Sequence, residues 1–272
     1  MEPTLLTSRD DAATTDGPGG GAGVVTVTIR HPERRNAMTP GMWRRLPVLL
    51  KDLAADPSVR VLVLTGAEDT FCAGADIGSL RDTGAEGDGS SPGGALAEQQ
   101  ALAATAEEAL ARFPKPTLAA VRGYCVGGGC QLAAACDLRF AAEDALFGIT
   151  PAKLGIVYPA ASTERLVRLV GPATAKYLLF SGELIGAERA LRTGLADEVH
   201  PADELDRRIA SFARTLTRCS ALTQAAAKDF ADGRTDPTRR ARWQREAAAG
   251  GEAAEGVAAF LERRPPRFNW PS

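Results

Sequence analysis

Residues 114–141, PKPTLAAVRGYCVGGGCQLAAACDLRFA, decide how the chain is read. The Pro114-Lys-Pro116 break resets the backbone, and the apolar run 117–121 that follows has the length of a strand. Gly127, Gly128 and Gly129 come next, and then an Ala-rich helical stretch around Leu132 to Cys136. Upstream, residues 24–29 alternate branched and polar side chains like a strand. Residues 59–65 form a β-branched run like a buried parallel strand, and residues 40–55 between them have helical spacing. Strand, helix, strand, helix in this order predicts an α/β chain built on a parallel sheet. From Ala161 onward the pattern is mostly helical, with Ser162 as a cap ahead of residues 164–170 and Gly171-Pro172 as a stop.

Composition narrows the class. The chain has 272 residues, of which 44% are hydrophobic and 24% charged. These are values of a folded, soluble protein of one or two domains, not of a disordered or fibrous one. Its 32 basic and 34 acidic residues leave a net charge of −2. The strong positive field that sequence-independent nucleic-acid binding requires is therefore missing. No apolar run approaches the roughly 18–20 residues needed to cross a bilayer, and residues 1–23 lack the apolar core of a secretory signal, so a cytoplasmic location is expected. Cys72, Cys125, Cys130, Cys136 and Cys219 are odd in number and show no CxxC spacing, and His31 and His200 are the only histidines. Neither a metal site nor a disulfide framework is expected. No dinucleotide or P-loop phosphate motif is present.

Three regions follow: a flexible Gly-, Asp- and Thr-rich leader at 1–23, a main domain at 24–200 and a helical region at 201–272. The polar segment 81–94, RDTGAEGDGSSPGG, reads as a mobile edge of an active site.

Chemistry is expected at 123–132, where three glycines lie between a strand and a helix. The free amides and positive dipole at such a helix start stabilise negative charge developing on an oxygen. A tight turn packed for steric reasons explains the glycines equally well.

A second block, TFCAGADI at 70–77, breaks the tie. With RHPERRNAM (30–38), FGITPAKLGIVYPAASTERLVRLVG (147–171), GLADEV (194–199) and EGVAAFLERRPPRF (255–268), the sequence resembles the crotonase superfamily, also called the enoyl-CoA hydratase/isomerase family. The resemblance spans about residues 24–268. It implies a spiral of ββα turns with a helical C-terminal region, and trimers or dimers of trimers that bind acyl-CoA thioesters, with CoA entering only as part of the substrate. The apolar face carrying Val257, Phe260 and Leu261 is expected to need such a partner. The resemblance also implies an oxyanion hole made by the amides of Ala75 and Gly128. Ala73, Asp76 and Ile77 would meet adenine, Arg34 and Arg35 the phosphates, and Gly127 and Ala152 would complete the substrate contacts. The two arginines read equally well as solvated charges.

The departures from the family are specific. Where its hydratases carry two glutamates that act on water, this chain has Gln131 and Ala152, neither of which transfers a proton at neutral pH. Polar groups remain at Gln131, Thr150 and Tyr158. The Thr150-Pro-x-x-Leu154-Gly155-x-x-Tyr158 pattern resembles the methylmalonyl-CoA decarboxylase branch, although Tyr158 also reads as a pocket wall. The leading expectation is therefore a lyase acting on a malonyl-type acyl-CoA. The alternatives are an atypical hydratase or isomerase lacking both usual glutamates, and a non-catalytic acyl-CoA-binding protein. Asp137 is expected to tie backbone amides, Glu143 and Asp144 to form a turn, Glu164 to face solvent, and the cysteines to act as small buried hydrophobes.

Overall fold

The branched run Val61–Gly66 is covered on both faces: Leu62 and Leu64 point into one core, Val61 and Val63 into another. That is the period-two alternation of a strand sandwiched between layers. The computed structural model describes residues 2–9, 23–78 and 92–270. In chain order the first half comprises β1 (Thr4–Arg9), β2 (Val24–Arg30), α1 (Pro40–Ala55), β3 (Val61–Gly66), α2 (Pro92–Ala111), β4 (Thr117–Val121), β5 (Tyr124–Val126) and α3 (Gly128–Ala135). The second half comprises β6 (Leu138–Ala142), β7 (Leu146–Gly148), α4 (Ala160–Ser181), β8 (Leu184–Gly186), α5 (Ala187–Thr193), β9 (Glu198–His200), α6 (Leu205–Arg218), α7 (Ala221–Ala231), α8 (Pro237–Ala249) and α9 (Glu252–Glu262).

The strands form a six-stranded sheet in the order β1-β2-β3-β4-β6-β9 and a three-stranded sheet in the order β5-β7-β8. In the large sheet every pairing after the antiparallel β1–β2 ribbon is parallel. Successive strands β4 and β5, then β6 and β7, each place one member in each sheet, and α3 closes the first of these pairs. This is the expected spiral of ββα turns. The main core, with Trp43, Leu46, Phe71, Leu110 and Phe147, fills the space between the sheets and α1, α2 and α4. A smaller core on the other face of the large sheet packs Phe140, Val61 and Leu118 against Leu205, Ile209 and Ala213 of α6.

Local chemistry explains the boundaries. Thr39 Oγ1 accepts the Met42 amide at 3.3 Å and Pro40 occupies the first helical position, so α1 begins where its apolar face, Met42, Trp43, Leu46 and Leu50, also begins. Within α4, Gly171 adopts φ 72°, ψ 164°, so the expected stop at Gly171-Pro172 is a kink from which the helix resumes.

Several expectations need correction. Residues 4–9, assigned to a flexible leader, are strand β1, paired with β2 in the register Leu5↔Ile29 that buries Leu5. An edge strand needs only one buried side chain and backbone pairing, which leaves little periodicity to read. Ser162 is no cap: α4 starts at Ala160 after Pro159, and Ser162 is buried in its first turn. Most of the segment 81–94 lies outside the described residues, and Pro92–Ala111, unanticipated as a helix, forms α2. No helix among the described residues is long and apolar enough to cross a membrane.

A largely buried ion pair helps tie the helical C-terminal region to the spiral. Asp137 Oδ2 accepts the Thr117 amide at 2.7 Å and its hydroxyl at 2.9 Å, and also Lys228 Nζ of α7 at 2.8 Å. Lys228 Nζ in turn donates to Lys115 O. Asp137→Ala leaves the buried Thr117 amide without its acceptor and the buried Lys228 ammonium without its counter-charge. It is expected to lower stability by about 2–3 kcal/mol, read as a fall in the urea midpoint.

Candidate active site

The segment 71–76 is laid between two neighbours by backbone hydrogen bonds. On one side Cys72 N donates to Tyr124 O and Val126 N to Cys72 O; on the other Met38 N donates to Gly74 O and Asp76 N to Met38 O. Ala73 N reaches Arg35 O at 3.0 Å. Buried Asn36 holds the chain that leads in, its Nδ2 donating to Ala67 O and Thr70 O while its Oδ1 accepts His31 N. This ladder uses the amides of Cys72, Ala73 and Asp76 but leaves that of Ala75 without an acceptor among the described residues.

At the start of α3, Gly127 N donates to Gly148 O at 2.8 Å, which anchors the turn, and the amide of Gly128, the first helical residue, has no acceptor among the described residues. Gly74, at φ +100°, brings the two segments together: a Cβ there would stand 2.9 Å from Val126 O and 3.2 Å from Gly128 N. Gly127, at φ +56°, makes the matching turn. The place a Cβ on Gly128 would take lies 3.9 Å from Ala75 N and 3.1 Å from the Trp43 ring. The glycines are tightly packed, and that packing sets two amides without acceptors among the described residues side by side.

These amides border a cleft of about 110 Å³ walled by Trp43, Ile77, Leu96, Ala103, Ile156 and Tyr158. Thr150, Pro151 and Leu154 complete the rim. The last two share a side because a 3₁₀ turn, Pro151–Leu154, repeats every three residues. The same geometry turns Ala152 to solvent, so it does not line the cleft as the substrate-contact expectation had it. Gln131 is also corrected. It is fully buried, its amide oxygen and nitrogen have no protein partner, and it is absent from the cleft wall.

Tyr158 and Thr150 both line the cleft. The Tyr158 hydroxyl lies 3.6 Å, and Thr150 Oγ1 3.9 Å, from the position of a Cβ on Gly127. Burial raises the Tyr158 phenol above its ordinary value, and the charge of Glu107 adds to this, so it is a hydrogen-bond donor and not a base. Arg34 and Arg35 are exposed on the turn after β2, with the Arg35 guanidinium 4.6 Å from the centre of the Tyr124 ring. Asp76 is half-buried and its Oδ1 accepts Gly78 N, while Ile77 is exposed at the mouth. Cys72, Cys125, Cys130 and Cys136 are buried, and desolvation pushes the Cys72 and Cys136 thiols up to about 12, which keeps them protonated. Cys219 is exposed, contrary to the expectation for all five.

The sequence reading missed Glu107. It lies on α2, 5% exposed, in the wall of the cleft that holds the two free amides. Ser162 donates to its Oε2 at 2.5 Å. Arg165 Nη1 is 3.9 Å from the same oxygen, but its other nitrogen pairs with Glu108 at 3.0 Å. Desolvation outweighs the Ser162 hydrogen bond and the Arg165 charge, and raises the Glu107 carboxyl to about 7. A signal existed: a Glu four residues after Ala103, on the apolar side of an Ala- and Leu-rich stretch, is a carboxylate in a helix that composition alone marks as buried.

A profile of the enoyl-CoA hydratase/isomerase family matches residues 19–270. The chain is 34% identical to 2,3-dehydroadipyl-CoA hydratase of Escherichia coli K12, covering 90% of this chain and 94% of that protein. It is 35% identical to crotonyl-CoA hydratase of Syntrophomonas wolfei, with 90% and 94% covered. A crystal structure described as an enoyl-CoA hydratase/isomerase family member superposes with a TM-score of 0.85 at 36% identity, covering 100% of this chain and 98% of that one.

The raised Glu107 carboxyl makes stability depend on pH. Its folded value, about 7, exceeds the ordinary 4.5. Its neutral form is therefore compatible with full stability below pH 4.5, and stability falls as pH rises through 7. Glu107→Gln removes this loss, worth about 3 kcal/mol. The variant is expected to match wild type at pH 4.5 and to melt at a higher temperature at pH 8, by calorimetry.

Proposed function

The chain belongs to the enoyl-CoA hydratase/isomerase family, or crotonase superfamily, and on that premise we propose that it is an enzyme acting on unsaturated acyl-CoA thioesters through an enolate. The observation that carries this reading is the pair of free amides at Ala75 and Gly128, set side by side at the cleft by Gly74. Two neighbouring donors suit a thioester oxygen that gains negative charge as C2 loses a proton or C3 is attacked by a nucleophile. Trp43 and Tyr158 would wall the acyl group, and the Thr150 and Tyr158 hydroxyls would fix its orientation.

A malonyl-type substrate, the leading expectation from the sequence, suits the cleft less well. Its carboxylate would enter a space that already holds Glu107 and that no Lys or Arg lines among the described residues. Like charges at low dielectric disfavour that complex. The hydratase names of the relatives point the same way. The CoA portion would lie over the edge formed by Ala73, Asp76 and Ile77. Arg34, whose Nη1 is 3.7 Å from the position of a Cβ on Gly78, borders that edge and would meet the phosphates.

We further infer homotrimers or dimers of trimers, in line with the exposure of Val257, Phe260 and Leu261 on α9. Light scattering at micromolar concentration is expected to give three or six times the chain mass, and a monomer would refute this.

Catalysis is tested by incubation with 2-enoyl-, 3-enoyl- and malonyl-type CoA thioesters followed by mass analysis. Turnover of an enoyl ester is expected, without release of carbon dioxide from the malonyl type. Gly128→Pro removes one donor at a helix position that tolerates proline, and is expected to cost about 10²–10³ in kcat. A folded variant with wild-type kcat would remove the amide pair from the account, and binding without turnover of any ester would make the protein a carrier.

A further inference from the structure

We propose that Glu107 is the catalytic proton carrier of this cleft, supplied by α2 in place of the family glutamates that are absent at Gln131 and Ala152, and that it moves a double bond from the 3,4 to the 2,3 position of a 3-enoyl-CoA. The inference rests on the acyl-CoA reading above and adds to it the base and the substrate class.

Geometry carries the assignment. Glu107 is the one carboxylate on the cleft wall among the described residues, and it shares that wall with Gly74, Ala75 and Gly128. Its Oε2 is engaged by Ser162. No hydrogen bond to its Oε1 is found among the described residues, and that atom is not one of the sealed unpaired ones. A carboxylate held by one oxygen, with the other unengaged among the described residues and the residue in the wall of a largely apolar cleft, suits proton transfer better than cross-linking the fold. Structural carboxylates of this chain look different. Asp137 and Asp229 spend their oxygens on several donors each.

The step balances without a second reactant. The C2–H bond breaks, its proton goes to Glu107 Oε1, and its electron pair moves into the dienolate, whose oxygen rests on the Ala75 and Gly128 amides. The same carboxyl then returns the proton to C4 while the double bond settles between C2 and C3. A single carrier suffices, because proton loss and gain occur two carbons apart on one side of the chain. Water addition instead uses groups that hold and deprotonate a water, and no second carboxylate lines the cleft among the described residues.

The surroundings of Glu107 tune it. Ser162 and Arg165 of α4 favour its ionised form, and Glu108 on its own helix disfavours it. The neutral Tyr158 hydroxyl lines the same cleft. On α1, Arg44 is taken up by Glu98 toward the other end of α2. Desolvation leaves the carboxyl half ionised near pH 7, where a base can both accept and return a proton. Ser162 is a positioning residue, acting through Glu107.

The test follows 3-hexenoyl-CoA in D₂O by mass spectrometry and proton NMR across pH 5 to 9. Wild type is expected to form 2-hexenoyl-CoA and to exchange C2 hydrogens, with kcat rising with pH through about 7. Glu107→Gln is expected to lose about 10²–10⁴ in kcat with thioester affinity kept. Ser162→Ala is expected to move the pH midpoint upward, because it removes a hydrogen bond that favours the carboxylate, and Ser162→Thr to restore it. Thermal melting checks that each variant is folded. Wild-type kcat in folded Glu107→Gln would overturn the assignment while leaving the acyl-CoA reading intact. Hydration of 2-hexenoyl-CoA without any 3-to-2 shift would overturn the substrate class. Absence of binding and turnover with every thioester would overturn the acyl-CoA reading itself and this inference with it.

Discussion

The structure depends on a backbone contact that only glycine permits. Gly74 passes so close to Val126 and Gly128 that a single methyl at that position would press on the Val126 carbonyl oxygen and the Gly128 nitrogen. This contact joins two successive turns of the spiral. One arrives through the ladder from Met38 and Cys72, the other through β5 and the start of α3. Because hydrogen bonds fix each segment on its far side, the spacing of the two free amides is set by the scaffold and not by side chains. Preorganised donors of this kind need no rearrangement as charge develops.

The second organising force is desolvation. The cleft is walled by apolar side chains, and no cation lines it among the described residues. That environment holds the Tyr158 phenol and the neighbouring thiols protonated and lifts the Glu107 carboxyl toward neutrality. Ser162 and a half-engaged Arg165 restrain the shift without cancelling it. A carboxylate fully paired with arginine would be ionised at all working pH values and a weak base. The imperfect pairing seen here leaves it able to gain and lose a proton. The same physics disfavours substrates that would bring a second carboxylate into the cleft.

Around this centre, the parts of the fold have separate tasks. The two cores hold the large sheet from both faces, and the Asp137–Lys228 pair ties the C-terminal helices to the strand end where α3 stops. α2 lies against α1 and α3 and brings the Glu107 side chain to the cleft from a part of the chain distant from both amide-bearing segments.

The sequence by itself determined strands at 24–29, 59–65 and 117–121, the helix at 40–55 and the parallel sheet, because strand and helix periods are local properties of the side-chain pattern; the structure shifts the first two strands to 24–30 and 61–66. The pairing of the Ala75 and Gly128 amides was legible only through the family resemblance of TFCAGADI and VGGGC, because the glycines by themselves fit a sterically packed turn equally well. That Asp137 ties a backbone amide and that Glu143 and Asp144 form a turn was legible from residue type, whereas the partner of Asp137, Thr117 on the neighbouring strand, was not. Strand β1 was not, because an edge strand with one buried residue carries too weak a period. Only the tertiary structure decided which polar residues reach the cleft. It sealed Gln131 in the interior, turned Ala152 to solvent, and brought Glu107 and Ser162, 55 residues apart, into one hydrogen bond. The proton affinity of Glu107 is a property of the water excluded around it, and that exclusion exists only once α2 and α4 have closed over the site.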